Sequence, residues 1–259
     1  MMYIYSMIKN LELYIKSPKI FFGLFMCLFL LACTNYSKEE GLAILKKSVR
    51  AHGGMKKFNK LNALSFNKVT RLFKEDGSLE QEIVQKQSFQ LQPVFLTKIE
   101  WEKNSTAHEV FYDGSEVIMT INGQMISDSL ELVAATNLAK AASFVFFQPF
   151  KLLKDETMLM LEGEIDLNDS TDVSVVSVKF PNDESTDKWK FYFNDDNQLV
   201  ANSVEHANNM SLIENLEFQD VHGLLFNKHR KSFYVDDLLN KKYLRAEYFY
   251  NDLAATFAK

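Results

Sequence analysis

Asp76-Gly77, Asp113-Gly114 and Asn122-Gly123 fall between runs rich in Phe, Val, Ile and Thr, and this pairing narrows the fold more than any other feature of the chain. Asn, Asp and Gly tolerate the positive φ of tight hairpin turns, so alternating apolar runs flanking such a dipeptide pair as antiparallel neighbours. Runs at 63–73, 79–91, 95–102, 106–112 and 116–126 therefore read as an antiparallel meander, with Pro93 at a strand edge or connection. Strand-like runs resume at 157–165, 172–180, 187–194, 198–206, 213–220, 224–235 and 242–250. Trp189, Phe191 and Phe193 alternate onto one face before the turn Asp195-Asp196-Asn197, and Leu244, Ala246, Tyr248 and Tyr250 share a face near the end.

Two segments carry helical periodicity instead. Ser37 with Glu40 fits a capping box, Leu42, Ile44, Leu45 and Val49 supply an apolar face, and Gly53-Gly54 closes the segment. A second helix is expected over 129–147, capped by Ser127 or Asp128, with Leu130, Val133, Ala134, Leu138, Ala141 and Val145 as its packing stripe. It runs through Phe144-Val145-Phe146-Phe147 into Gln148-Pro149-Phe150, an aromatic corner that either plugs a core or lines the mouth of a ligand cavity.

The N-terminal segment bears on location. Lys9, Lys16 and Lys19 precede an uninterrupted apolar run, Ile20 to Ala32, that is too short to span a bilayer comfortably. It ends in Leu30-Leu31-Ala32-Cys33, which resembles a bacterial lipobox. The resemblance implies a signal peptide at 1–32, acyl chains on Cys33 that hold the protein on a membrane, a short tether at 33–36, and one domain at 37–259. Removal of the signal leaves 26 basic against 33 acidic residues without any basic block, which argues against nucleic acid as a partner. Cys27 would leave with the signal and Cys33 would be acylated, so the mature chain would lack a thiol for a disulfide, a nucleophile or a metal.

Motifs for enzymatic chemistry are missing. His52, His206, His222 and His229 show no HExxH or comparable ligand spacing, and His52 fits a structural place against the helix dipole at a C-terminus. There is no G-x-S-x-G elbow and no phosphate-cradling glycine loop, and the acidic groups Asp183-Glu184, Asp195-Asp196 and Asp236-Asp237 read as solvated turns. The expectation is a protein that is not an enzyme, with no metal and no cofactor.

Ala51-His52-Gly53-Gly54 after the first helix, Trp189 to Asn194 before a turn, and Val221-His222-Gly223-Leu224 followed by Arg230 and Tyr234 resemble outer-membrane lipoproteins of the LolA/LolB-like lipoprotein-carrier superfamily. The resemblance implies an α+β fold in which a strongly curved antiparallel sheet, an incomplete β-barrel, wraps around two helices. It further implies non-catalytic binding of an apolar or amphipathic ligand, a lipid or a lipoprotein acyl chain, between sheet and helices. Trp189, Phe191, Phe193, Phe144, Phe147 and Phe150 are the candidate cavity residues. The expected location is the outer membrane, lipid-anchored on its periplasmic face. The alternative is a structural lipoprotein with a filled core that docks an envelope protein partner.

Overall fold

The computed structural model describes residues 37–154, 157–167, 171–180, 187–207 and 209–258. Cys33 and the segment before it lie outside the described residues. Four helical segments occur within them: α1 (37–51), α2 (Met55–Phe58), α3 (Ser129–Phe146) and α4 (Phe150–Lys154). The strands are β1 (Leu61–Phe73), β2 (Leu79–Gln90), β3 (Leu96–Lys103), β4 (Thr106–Tyr112), β5 (Val117–Ile121) and β6 (Gln124–Met125) before α3. After α4 come β7 (Met158–Leu167), β8 (Thr171–Lys179), β9 (Lys188–Phe193), β10 (Leu199–His206), β11 (Asn209–Val221), β12 (Leu224–Val235) and β13 (Lys241–Phe257).

All thirteen strands join one antiparallel sheet in the order β6-β5-β4-β3-β2-β1-β13-β12-β11-β10-β9-β8-β7. Every neighbour pair except one joins strands consecutive in the chain, three of them across the turn dipeptides; Asn122 (φ 48°) and Gly123 (φ 76°) adopt the left-handed geometry of a two-residue turn. The exception is β1 against β13, which joins the first and last strands at the middle of the sheet, with Lys68 opposite Tyr250 and Val69 opposite Phe249.

The expected strongly curved, incomplete barrel around two helices is not what forms. The sheet is neither closed into a barrel nor strongly curved; β6 and β7 end it, each bonded to a single neighbour among the described residues. Hairpin signals dictate local pairing only. They carry no instruction that the outermost strands should meet, and here the long connection through α3 and α4 separates them.

One face of the sheet carries the helices. Asp128 caps α3, its Oδ1 accepting from the backbone N–H groups of Leu130 and Glu131, both at 3.0 Å. The helix then packs Ala135 and Ala139 onto Ile99, Val110 and Tyr112 of β3 and β4. Its buried side is therefore rotated from the expected stripe: Leu130 (79 % exposed) and Val133 (59 %) face outward, because the small alanines permit a closer approach to the sheet. The following corner, Phe146, Phe147 and Phe150, sinks between helices and the central strands against Phe66, Phe89, Phe226 and Tyr250. Phe146 lies 4.2 Å from Phe66, and Phe150 stacks on Phe58 at 4.3 Å, measured between ring centroids.

The first helix is held at both ends by backbone approach. Gly41 lies against the edge strand β7, where a Cβ would meet the Leu161 nitrogen at 3.1 Å. The Ser37 hydroxyl donates to the Leu161 carbonyl (2.9 Å), which ties the helix to that edge. At the other end Gly53 (φ 107°) abuts Gly223 in the β11–β12 turn, and the Leu225 N–H donates to the His52 carbonyl (3.1 Å). The His52 ring is buried, packs edge-on to Phe218 and bonds through Nδ1 to the Ser48 carbonyl (2.9 Å). Burial lowers its pKa, which disfavours the charged form that a helix C-terminus would otherwise favour.

Candidate ligand cavity

Between the helices and two sectors of the sheet lies a cavity of about 920 Å³. Asn137, Lys140, Ala141 and Phe144 of α3 and Lys151 of α4 line its helical side. One wall is Phe95 and Tyr112, edge to face at 6.4 Å; the other is Phe180 and Trp189, edge to face at 6.3 Å, with Phe144 edge-on to Phe180 at 5.3 Å. Such edge-to-face contacts hold the rings in place. Lys140 lies 5.9 Å from the Tyr112 ring centre and Lys151 5.5 Å from that of Phe95, so both ammonium groups sit over aromatic faces.

A second, smaller space of about 190 Å³ adjoins it, sharing Ala141 and Trp189. It lies between α3 and a row of polar side chains that crosses the sheet from Gln87 through Lys68, Tyr250 and Arg230 to Asn202. Strand register explains the row: Lys68 is opposite Tyr250, Tyr248 opposite Arg230, and Asn202 opposite Phe191, so these residues project to the helical face together. Burial raises the pKa of Tyr248, an effect that the nearby Arg230 charge partly offsets.

The candidate aromatic residues divide among three environments. Trp189 and Phe144 line the large cavity. Phe191 and Phe193 are buried in a cluster with Leu45 of α1 and Leu152 of α4, while Phe147 and Phe150 fill the central core. Of the histidines, His206 bonds to Asp187 and His229 bonds through Nε2 to Glu247 (2.8 Å), pairings made by residues distant in sequence. Among the described residues no group of three or more His, Cys, Asp or Glu is placed to hold a metal ion.

Residues 19–206 match the model of a family of unknown function, DUF6503. The chain belongs to this family. The matched segment ends with β10, so the β11–β12 turn with Gly223 and the strand with Arg230 lie beyond it. No curated protein matches the chain in sequence.

Solved structures of similar fold include a LolA superfamily protein from Nitrosomonas europaea, with 11% identity and a TM-score of 0.57 over 85% of this chain and 94% of that one. A DUF1329 family protein from Desulfovibrio piger aligns at 10% identity and a TM-score of 0.52, over 85% and 93%. A domain named for outer membrane lipoprotein sorting, from Vibrio parahaemolyticus, aligns at 11% identity and a TM-score of 0.51, over 84% and 93%. This DUF6503 member thus has the LolA-like sheet-and-helix fold; at such identities the likeness concerns fold alone.

Sequence reading did not find Phe95, Tyr112, Phe180, Lys140 or Lys151. Each is an ordinary residue locally, and they meet only because α3 crosses the sheet. Arg230 had a signal, a cation in the strand run Leu224–Val235, but the partners that surround it come from other strands.

Proposed function

We propose that the protein binds an apolar or amphipathic ligand, a lipid or a lipoprotein acyl chain, without catalysis, while held by acyl chains on Cys33 at the periplasmic face of the outer membrane. The observation that carries the binding reading is the aromatic-walled cavity between α3 and the sheet. Its volume of about 920 Å³ falls within the range typical of small-molecule sites, about 300–1,000 Å³. The names of the solved structures that share the fold, LolA superfamily and lipoprotein sorting, support this reading. So does the lipobox-like end of the apolar run at Cys33, which would place the domain within reach of membrane lipid.

Binding energy would come from burial. Each methylene removed from water contributes about 0.8 kcal/mol, so lengthening a saturated chain by one carbon tightens Kd roughly fourfold until the cavity is full. Trp189 reports occupancy directly, since it lines the cavity, and Trp101 stacks on His108 away from it. Titration of the Trp101→Phe protein with fatty acids of increasing length should change Trp189 emission and show that dependence, and Phe144→Ser should weaken binding about tenfold. Absence of binding by every fatty acid and phospholipid tried would refute the reading. One observation favours the alternative role of docking an envelope partner: Leu130 and Val133 present an exposed apolar strip on α3.

A further inference from the structure

The inner chamber holds more positive charge than its surroundings balance. Arg230 is 3% exposed, and its bonds go to neutral oxygens: Nε donates to Asn215 Oδ1 (2.7 Å) and a terminal nitrogen to Asn202 Oδ1 (2.8 Å). Asn215 is itself oriented by donating to the Leu199 carbonyl (2.6 Å), which turns its oxygen toward the guanidinium. Lys68 lines the same chamber, 5.2 Å from the Tyr248 ring centre. None of the residues lining it is acidic. Gln148, also 3% exposed, contributes a buried Oε1 without a hydrogen-bond partner among the described residues; as an acceptor it suits a water or a protonated oxygen of the head, while the donors to an anion are the two cations.

A guanidinium stays protonated in any protein environment, so burial cannot be relieved by losing the proton. Burying a charge without a counter-charge is among the costliest arrangements a fold can contain. Most buried cations therefore come with a carboxylate; here their place adjoins empty volume. At about 30 Å³ per water, the chamber's volume of about 190 Å³ accommodates a hydrated carboxylate or a phosphate group.

We propose that the chamber binds the anionic head of a single-chain amphiphile, a carboxylate or phosphate monoester, whose chain lies in the large cavity. This inference rests on the reading of that cavity as an apolar binding site. The two spaces share Ala141 and Trp189 in their linings, so a chain passing between these two side chains would reach from one into the other. Arg230 and Lys68 supply charged donors to the head, and the aromatic walls take the chain. Lys140 and Lys151 remain over Tyr112 and Phe95 in the outer cavity.

The test is isothermal titration of the full chain with decanoate, 1-decanol, decyl phosphate and inorganic phosphate. Decanoate and decyl phosphate should bind about tenfold or more tighter than 1-decanol, because charge-assisted hydrogen bonds form only with the anions. Lys68→Met and Arg230→Gln should bring decanoate and 1-decanol to about parity, with 1-decanol little changed. Lys68→Met is the safer variant for folding, because Arg230→Gln also unpairs Asn202 and Asn215. Equal affinity for acid and alcohol in the unaltered protein would overturn the anionic head while sparing the cavity. Binding of none of the chain-bearing probes would overturn the cavity reading itself. A preference for decanoate that survives both substitutions would overturn the assignment to Arg230 and Lys68. Inorganic phosphate binding as tightly as decyl phosphate would overturn the amphiphile in favour of a free-anion site.

Discussion

Replacing Gly53 by alanine should cost far more stability than the same change at Gly54, its neighbour. Both residues have positive φ, 107° and 87°, a region that side-chain-bearing residues avoid at about 1–3 kcal/mol. They differ in what a Cβ would meet. At Gly54 nothing lies within 4 Å, whereas at Gly53 the new atom would sit 2.1 Å from the Gly223 carbonyl oxygen and 3.0 Å from Leu224. The helix end and the β11–β12 turn must then part by roughly 1 Å, since backbone on both sides leaves no flexible atom to yield. That separation strains the Leu225–His52 backbone bond, worth about 1 kcal/mol net. It also loosens Leu224, which is fully buried beside Val49 in the central cluster, at a further cost of about 1–3 kcal/mol. The expected penalty of Gly53→Ala beyond that of Gly54→Ala is thus about 2–4 kcal/mol. Urea unfolding monitored by circular dichroism reads this as a midpoint about 1–2 M lower, for a denaturant slope of about 2 kcal/mol per M. Equal midpoints for the two variants would refute the close approach of these backbones.

His52 should make stability depend on pH. Burial lowers its folded-state pKa below the ordinary 6.5, so the unfolded chain takes up the proton first as pH falls. Stability is therefore full above 6.5 and declines below it, by up to about 1.4 kcal/mol per pH unit, until the folded pKa is passed. Urea midpoints of the wild type and His52→Gln at about pH 8 and about pH 5.5 isolate this effect, and parallel losses in both proteins would exclude it. Phe146→Ala removes a ring that contacts Phe66, Phe226 and Tyr250 within 5.3 Å, so it should cost about 3–5 kcal/mol by denaturant titration. A loss below about 1 kcal/mol would mean that this corner does not form the core.

Much of the local structure was legible in the chain. The Asn122-Gly123 turn, a cap at Ser127 or Asp128, which the structure assigns to Asp128, and the strand from Leu199 to His206 follow from positive-φ tolerance, side-chain capping and two-residue alternation, all of which act between near neighbours. The two glycine motifs noted at Gly53 and Gly223 prove to be the two sides of one contact, although sequence reading treated them separately. The buried face of α3 was misplaced because Leu130 and Val133 have the right spacing and hydropathy, yet alanine at 135 and 139 permits the closer fit.

The order of residues by itself determined that this chain forms a long series of antiparallel hairpins around a mid-chain helix with an aromatic corner. Only the tertiary structure decided that β1 lies beside β13, that the sheet stays open, that Phe147 and Phe150 fill the core while Phe144 and Trp189 line a cavity, and that Arg230 and Lys68 face one chamber. The division has a physical cause: turns, caps and alternation are set by forces between near neighbours, whereas cavities and buried charges are set by strands that meet only after the whole sheet has formed.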